Sequence, residues 1–159
     1  MKTRPRTEIA TFAAGCFWHV QAAFDQLKGV VKTTVGYIGG KMKNPSYEDV
    51  CSDDTGHAEA VMIEFDSSKI SYEDLLDIFW KMHDPAQLNR QGHDVGTQYR
   101  SAIFYQSKEQ EKAAIASRER LQKGSKKNIV TEIVPAKEFY PAEDYHQDYY
   151  KKHGMTCKI

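Results

Sequence analysis

Gly15-Cys16 separates two runs of opposite periodicity, and that junction limits the folds open to this chain. Upstream, residues 9–14 form a short apolar run of the kind that makes a buried strand. Downstream, Phe17, Val20, Phe24 and Leu27 recur at helical spacing, and Lys28-Gly29 supplies a basic last turn and a C-cap glycine. A cysteine at such a strand-to-helix turn faces unpaired N–H groups and the positive end of the helix dipole. That setting lowers a thiol's pKa from about 8.5 and favours the nucleophilic thiolate. Gly15 suits a tight turn that a Cβ would crowd. The competing reading is a buried structural cysteine followed by two core aromatics, and position alone does not separate the two.

The alternation continues along the chain. Residues 30–38 read as a strand broken by Gly39-Gly40, and 41–57, rich in turn formers, as a long irregular loop carrying Tyr47 and Cys51. In the strand expected at 59–65, Val61, Ile63 and Phe65 share one face, and period two puts Glu59 on it. A carboxyl there is desolvated and its pKa rises; a solvated Glu59 just outside the strand is the alternative. Ser71-Tyr72-Glu73-Asp74 opens a helix striped by Tyr72, Leu75, Leu76, Phe79 and Trp80, ending before Pro85. A second polar loop, 87–100, holds Asp94 and Tyr99. A strand at 101–105, a helix from a Ser107 capping box to Gly124, and a β-branched strand at 129–134 follow. Pro141-Ala142-Glu143-Asp144 then begins a last helix with Lys151-Lys152 in its final turn, and Gly154 releases a tail, 154–159, expected to be mobile. Strands alternating with helices predict one α/β (α+β) domain over residues 1–159, helices packed on a sheet.

Composition narrows the functions. Across 159 residues, Lys+Arg and Asp+Glu are both 22, so no basic field argues for nucleic acid or an anionic membrane. No stretch approaches the ~20 apolar residues of a membrane span. The basic start, Met1 to Arg6, is followed by no long apolar run, and three cysteines make no secreted disulfide framework, so a cytoplasmic protein is expected. No CxxC, HxxxH or HExxH spacing points to a metal, and His83 and His146 read as helix-surface or core hydrogen-bonding residues. With no GxGxxG or P-loop, no nucleotide cofactor is expected. What remains is thiol chemistry without a prosthetic group, in which Cys16 attacks and a second cysteine resolves; spacing does not exclude a hydrolase pairing Cys16 with a histidine base.

Eight stretches, in order, carry a family resemblance: Gly15-Cys16-Phe17-Trp18; Val35-Gly36-Tyr37 with Gly39-Gly40; Asn44-Pro45-Ser46-Tyr47; Thr55-Gly56-His57-Ala58-Glu59; His83-Asp84-Pro85; Asn89-Arg90-Gln91-Gly92-His93-Asp94; Gln98-Tyr99-Arg100-Ser101; and Ala142-Glu143-Asp144-Tyr145-His146-Gln147. Over nearly its whole length the chain resembles the peptide-methionine (S)-S-oxide reductase A family. The resemblance implies a two-layer, ferredoxin-like α/β plait, a mixed sheet backed by helices with much irregular loop. It implies reduction of the S-epimer of methionine sulfoxide, free or in oxidised proteins, by a monomer that uses thioredoxin or another dithiol and no cofactor.

The resemblance also assigns roles. Cys16 matches the nucleophile, Phe17 and Trp18 the walls of the methyl pocket, and Glu59 the acid that protonates the sulfoxide oxygen. Tyr47 and Tyr99 match hydroxyls that bond that oxygen, and Asp94 a carboxylate that orders the site through water. The Cys16 sulfenic acid would be resolved by Cys157, in a tail like those that carry the family's resolving cysteine, with Cys51 the alternative. Four departures stand out: His19 where the family usually has Gly, Gln21 where Glu is common, Asp53 for a frequent Gly, and no longer glycine-rich extension with two cysteines. Two other classes stay open, a binding module that kept the pocket without turnover and a thiol peroxidase, which needs no methyl-sized aromatic pocket.

Overall fold

The computed structural model describes residues 7–155; Cys157 lies outside them. In chain order the described residues form β1 (Thr7–Ala14), α1 (Phe17–Asp25), β2 (Val30–Ile38), α2 (Tyr47–Cys51), β3 (Ala58–Asp66), α3 (Tyr72–Lys81), β4 (Arg90–Gln91), β5 (Asp94–Val95), β6 (Ser101–Tyr105), α4 (Lys108–Lys123), β7 (Glu132–Pro135), β8 (Tyr140–Pro141) and α5 (Tyr149–Lys152). Six strands make one mixed sheet in the order β7-β6-β1-β3-β2-β8, while β4 and β5 pair as a separate hairpin. Every pairing in the large sheet is antiparallel except that of β6 with β7.

Period-two alternation divides this sheet into two unlike faces. Ala10, Phe12, Val35, Tyr37, Val61, Ile63, Phe65 and Ile103 pack with residues of α1, α3 and α4. On that side Phe12 stacks against Phe24 at 5.5 Å and Phe79 at 5.1 Å, fastening α1 and α3 to the central strand. The opposite face is built of small residues, Ala13, Ala58, Ala60 and Ala102, with Ile38 and Phe104, and the chain around Val134, Ala136 and Phe139 covers it. Tight approach is needed there too: a Cβ on Gly36 would lie 2.4 Å from the Tyr140 carbonyl oxygen, where β8 pairs with β2.

Local signals account for most element ends. Ser71 and Asp74 form the expected reciprocal capping box of α3. Several expectations are corrected. The α1 helix closes at Gln26, before Lys28-Gly29, and Gly29 instead bends the chain into β2 with φ +102°. The loop expected at 41–57 contains α2, opened by a capping box of Ser46 and Asp49. The loop at 87–100 contains the β4–β5 hairpin and a 3-10 turn at Thr97–Tyr99. Ser107 caps α4 by accepting from the Gln110 N–H, but the Gln110 side chain accepts from the Gln106 N–H and leaves the box open. The β-branched strand is confined to β7. Most consequential, no helix starts at Pro141: that residue pairs with Gly36 in β8, a 3-10 turn spans Asp144–His146, and α5 begins only at Tyr149.

Candidate active site

Cys16 stands between the end of β1 and the first residue of α1. The turn depends on Gly15, whose φ is +94° and whose absent Cβ would sit 2.8 Å from the Gln91 side chain. That contact brings the β4–β5 hairpin, with Asp94, against the nucleophile's turn. Directly across the sheet from Tyr37 lies Glu59, at 1% exposure on the face the alternation predicts.

The Glu59 carboxyl is half-satisfied. Oε1 accepts the Phe17 backbone N–H at 3.3 Å, while Oε2 has no partner among the described residues. Burial pushes its pKa up to about 8, the Phe17 N–H pulls down, and Asp94 adds to the rise. Glu59 therefore holds its proton at neutral pH, as a carboxylic acid able to donate.

The thiol corrects an expectation. Burial, then the negative charges of Glu59 and Asp94, push the Cys16 pKa up to about 12, although the N–H groups of Trp18 and His19 act in the lowering direction. Burial and the two carboxylates thus outweigh the pull of the helix terminus. One contribution depends on pH: below about 8 Glu59 is neutral, and its charge no longer opposes a thiolate.

Tyr47 and Tyr99 are brought to this place by α2 and by the 3-10 turn. Burial raises the pKa of both phenols and keeps them as donors; nearby Glu59 adds to the effect on each. The Tyr47 hydroxyl is hydrogen-bonded to Cys51, one helical turn along α2, and Cys51 itself is exposed. Asp94 bears electrostatically on Cys16, Glu59 and Tyr99 alike. Phe17 is wholly buried, tilted against Tyr37 and His146, and Trp18 is half-buried, its indole stacked on Tyr149 at 3.7 Å. Every site residue expected from the sequence within residues 7–155 thus belongs to one neighbourhood.

Three further residues complete it and were not read from the sequence as site residues. Glu143 accepts from the Tyr37 hydroxyl at 2.9 Å and from the Tyr47 backbone N–H at 3.0 Å. Burial works to raise its pKa, but these donors more than offset that and leave it lowered. His146 accepts from the Trp18 indole N–H at 2.9 Å. The signal that could have found Tyr37, Glu143 and His146 is their presence in the matched stretches, where polar residues sit among aromatics. Among the described residues no group of three or more His, Cys, Asp or Glu side chains is arranged to hold a metal ion. No helix there is long and apolar enough to cross a membrane.

A buried, proton-holding carboxyl beside a cysteine at a helix N-terminus, walled by aromatics and edged by phenols, brings together a thiol and a proton donor and so suits thiol chemistry. The family model described as peptide methionine sulfoxide reductase matches residues 8–159, and the chain belongs to that family. Its sequence is 62% identical to the peptide methionine sulfoxide reductase MsrA of Methanosarcina acetivorans over 96% of this chain and 82% of that protein. It superposes on Mxr1 from Saccharomyces cerevisiae in reduced form with a TM-score of 0.90, at 34% identity, covering 99% of this chain and 92% of that one. Against the same yeast protein in an unusual oxidized form the TM-score is 0.73 at 32% identity, over 99% and 90% of the two chains. Against its complex with Trx2 the score is 0.65 at 26% identity, over 94% and 89%. The chain is thus an oxidoreductase of the methionine sulfoxide reductase class.

Proposed function

We propose that this protein reduces the S-epimer of methionine sulfoxide, free and within oxidised proteins, through Cys16, Glu59, Tyr47, Tyr99 and Asp94. The observation that carries the reading is Glu59: an acid that keeps its proton up to pH about 8, with one oxygen unpartnered, at the N-terminus of the helix that Cys16 precedes. A sulfoxide oxygen is a poor leaving group until protonated, and a buried carboxyl supplies that proton. The Tyr47 and Tyr99 hydroxyls donate to the same oxygen, Asp94 orders the site through water, and Phe17 and Trp18 wall in the methyl group.

In this scheme the Cys16 sulfur bonds to the sulfoxide sulfur as Glu59 protonates the oxygen. The positive charge developing on the substrate sulfur favours a neighbouring thiolate, so ionisation of the thiol is coupled to substrate binding. The substrate S–O bond and the transient S–S bond then break as the protonated oxygen passes to Cys16, giving a sulfenic acid; methionine leaves with two electrons from the cysteine, and the thiol's proton replaces the one Glu59 gave up. A second thiol, Cys157 or alternatively Cys51, condenses with the sulfenic acid to a disulfide with loss of water. Thioredoxin or another dithiol reduces it, a route supported by the yeast relative's complex with Trx2. We further read the chain as one domain, a cytoplasmic monomer without nucleic-acid or membrane partners. The central order β6-β1-β3-β2, all antiparallel, supports a ferredoxin-like plait.

The test is a single turnover: reduced protein is mixed with each sulfoxide epimer, without external reductant, and methionine is quantified. About one equivalent is expected from the S-epimer and none from the R-epimer. No methionine from the S-epimer, with the protein folded and its thiols reduced, overturns the reading.

A further inference from the structure

His146 is the centre of an aromatic cluster and carries one hydrogen bond that fixes its chemical form. Its ring is 1% exposed, with centroids 5.2 Å from Phe17, 5.6 Å from Trp18, 4.3 Å from Tyr47 and 4.1 Å from Tyr145. The Trp18 indole N–H donates to His146 Nδ1 at 2.9 Å. An indole nitrogen is a donor only, so Nδ1 must offer a lone pair and the ring hydrogen belongs on Nε2. Nε2 has no partner among the described residues. Leaving a buried donor without an acceptor is costly. Rotating the ring or moving the proton to Nδ1 would give up the Trp18 bond, so the fold keeps the orphan in order to keep that bond.

Trp18 needs such a hold. One face of its indole is stacked on Tyr149 at 3.7 Å, and its N–H edge is held by His146. The bond to His146 ties the indole edge to the 3-10 turn Asp144–His146, whose preceding residue Glu143 is in turn held by Tyr37 and the Tyr47 N–H. The same turn thus sets both the aromatic wall and the start of α2.

We propose that His146 is a positioning residue, which fixes the Trp18 indole as a wall of the substrate pocket by presenting Nδ1 as an acceptor. This rests on the reading of Trp18 given above, and the geometry of the bond does not.

Two measurements test it. The chain has two tryptophans, and the other, Trp80, donates its indole N–H to Ser117 Oγ, away from His146. In 1H–15N spectra, His146→Leu should move the Trp18 indole resonance strongly and leave that of Trp80 in place. His146→Asn should restore the Trp18 signal, because an asparagine amide oxygen lies about where Nδ1 does. In kinetics, His146→Leu should raise KM for methionine sulfoxide by roughly tenfold or more, with a smaller change in single-turnover rate at saturation, since misplaced groups cost up to about 10²-fold. In a Trp18→Phe background, which has no N–H to hold, the same change should add little. If His146→Leu does not fold, His146→Gln, whose amide reaches the Nε2 position, replaces it. An unmoved Trp18 resonance, or an equal loss in both backgrounds, overturns the proposal. Wild-type protein that releases no methionine removes the reading of the reaction instead, while the spectra still decide whether His146 holds Trp18.

Discussion

A single carboxyl, Glu59, carries opposite consequences for stability and for activity. Its folded-state pKa, about 8, lies above the ordinary carboxyl value of 4.5, because burial penalises the charge. Between those values the folded protein holds a proton that the unfolded chain has released, so stability falls as pH rises, by about 1.4 kcal/mol per unit for a fully populated difference. Glu59→Gln removes the titration. It should match wild type near pH 4.5 and exceed it by a few kcal/mol, as an order of magnitude, at pH 9. At the same time it should slow the sulfoxide step by about 10²–10⁴-fold, since an amide keeps a hydrogen bond but delivers no proton. Urea melts across pH beside single-turnover rates check both; a variant with a wild-type rate at pH 7 sinks Glu59 as the acid. Wild-type turnover should itself decline above pH 8 as the acid ionises.

At the level of elements, His19, Gln21 and Asp53, the three positions the sequence resemblance marks as departures, all serve as ties. His19 packs edge-on toward Tyr150 of α5. Asp53 accepts the Thr97 N–H at 3.1 Å and joins the Cys51 segment to the turn that carries Tyr99. Gln21, buried on α1, donates to the Thr33 carbonyl at 3.3 Å and hydroxyl at 3.2 Å and accepts the Asp148 N–H at 2.8 Å, binding α1 to β2 and to the start of α5. A carboxylate in its place would turn a donor into an acceptor facing the Thr33 carbonyl, with Asp25 nearby on the same threonine. Gln21→Glu should therefore cost about 1–3 kcal/mol at pH 8. It should cost less at pH 5, where a protonated carboxyl can donate; a pH-independent cost would contradict this account. These ties also show where the sequence was legible. Glu59 could be read because three apolar neighbours repeat at period two, and the ends of α3 because its capping box is local. The α2 helix is five residues long, too short for any periodicity to appear. The helix expected at Pro141 failed because its signals are local, whereas Pro141 is recruited by β2 and Glu143 by Tyr37 and Tyr47, more than 90 residues away in sequence.

For the whole molecule the question is how a half-buried Cys16 reaches a second thiol. The likeness of this chain to the reduced yeast protein, TM-score 0.90, exceeds that to its unusual oxidized form, 0.73, so that relative changes shape between the two. In the present chain the Trp18–Tyr149 stack at 3.7 Å fastens α5 over α1, His153 stacks on the same Tyr149 at 3.9 Å, and Met155 lines a groove with Trp18. Met155, the last described residue, thus lies beside the helix that Cys16 precedes. A disulfide needs Cα atoms within about 7 Å, so a Cys16–Cys157 bond is expected to draw the segment after α5 toward the nucleophile and strain the Trp18–Tyr149 stack. Cys51 has a competing claim, because its thiol already meets the Tyr47 hydroxyl. One equivalent of methionine sulfoxide followed by acid quench and peptide mapping should give a Cys16–Cys157 link, accompanied by a change in tryptophan fluorescence. Cys157→Ser should abolish both and leave a sulfenic acid that dimedone traps, whereas Cys51→Ser should retain both. A Cys16–Cys51 link formed at an unchanged rate in Cys157→Ser would transfer the resolving role to α2, and the fluorescence change should then be absent because α5 has no reason to move.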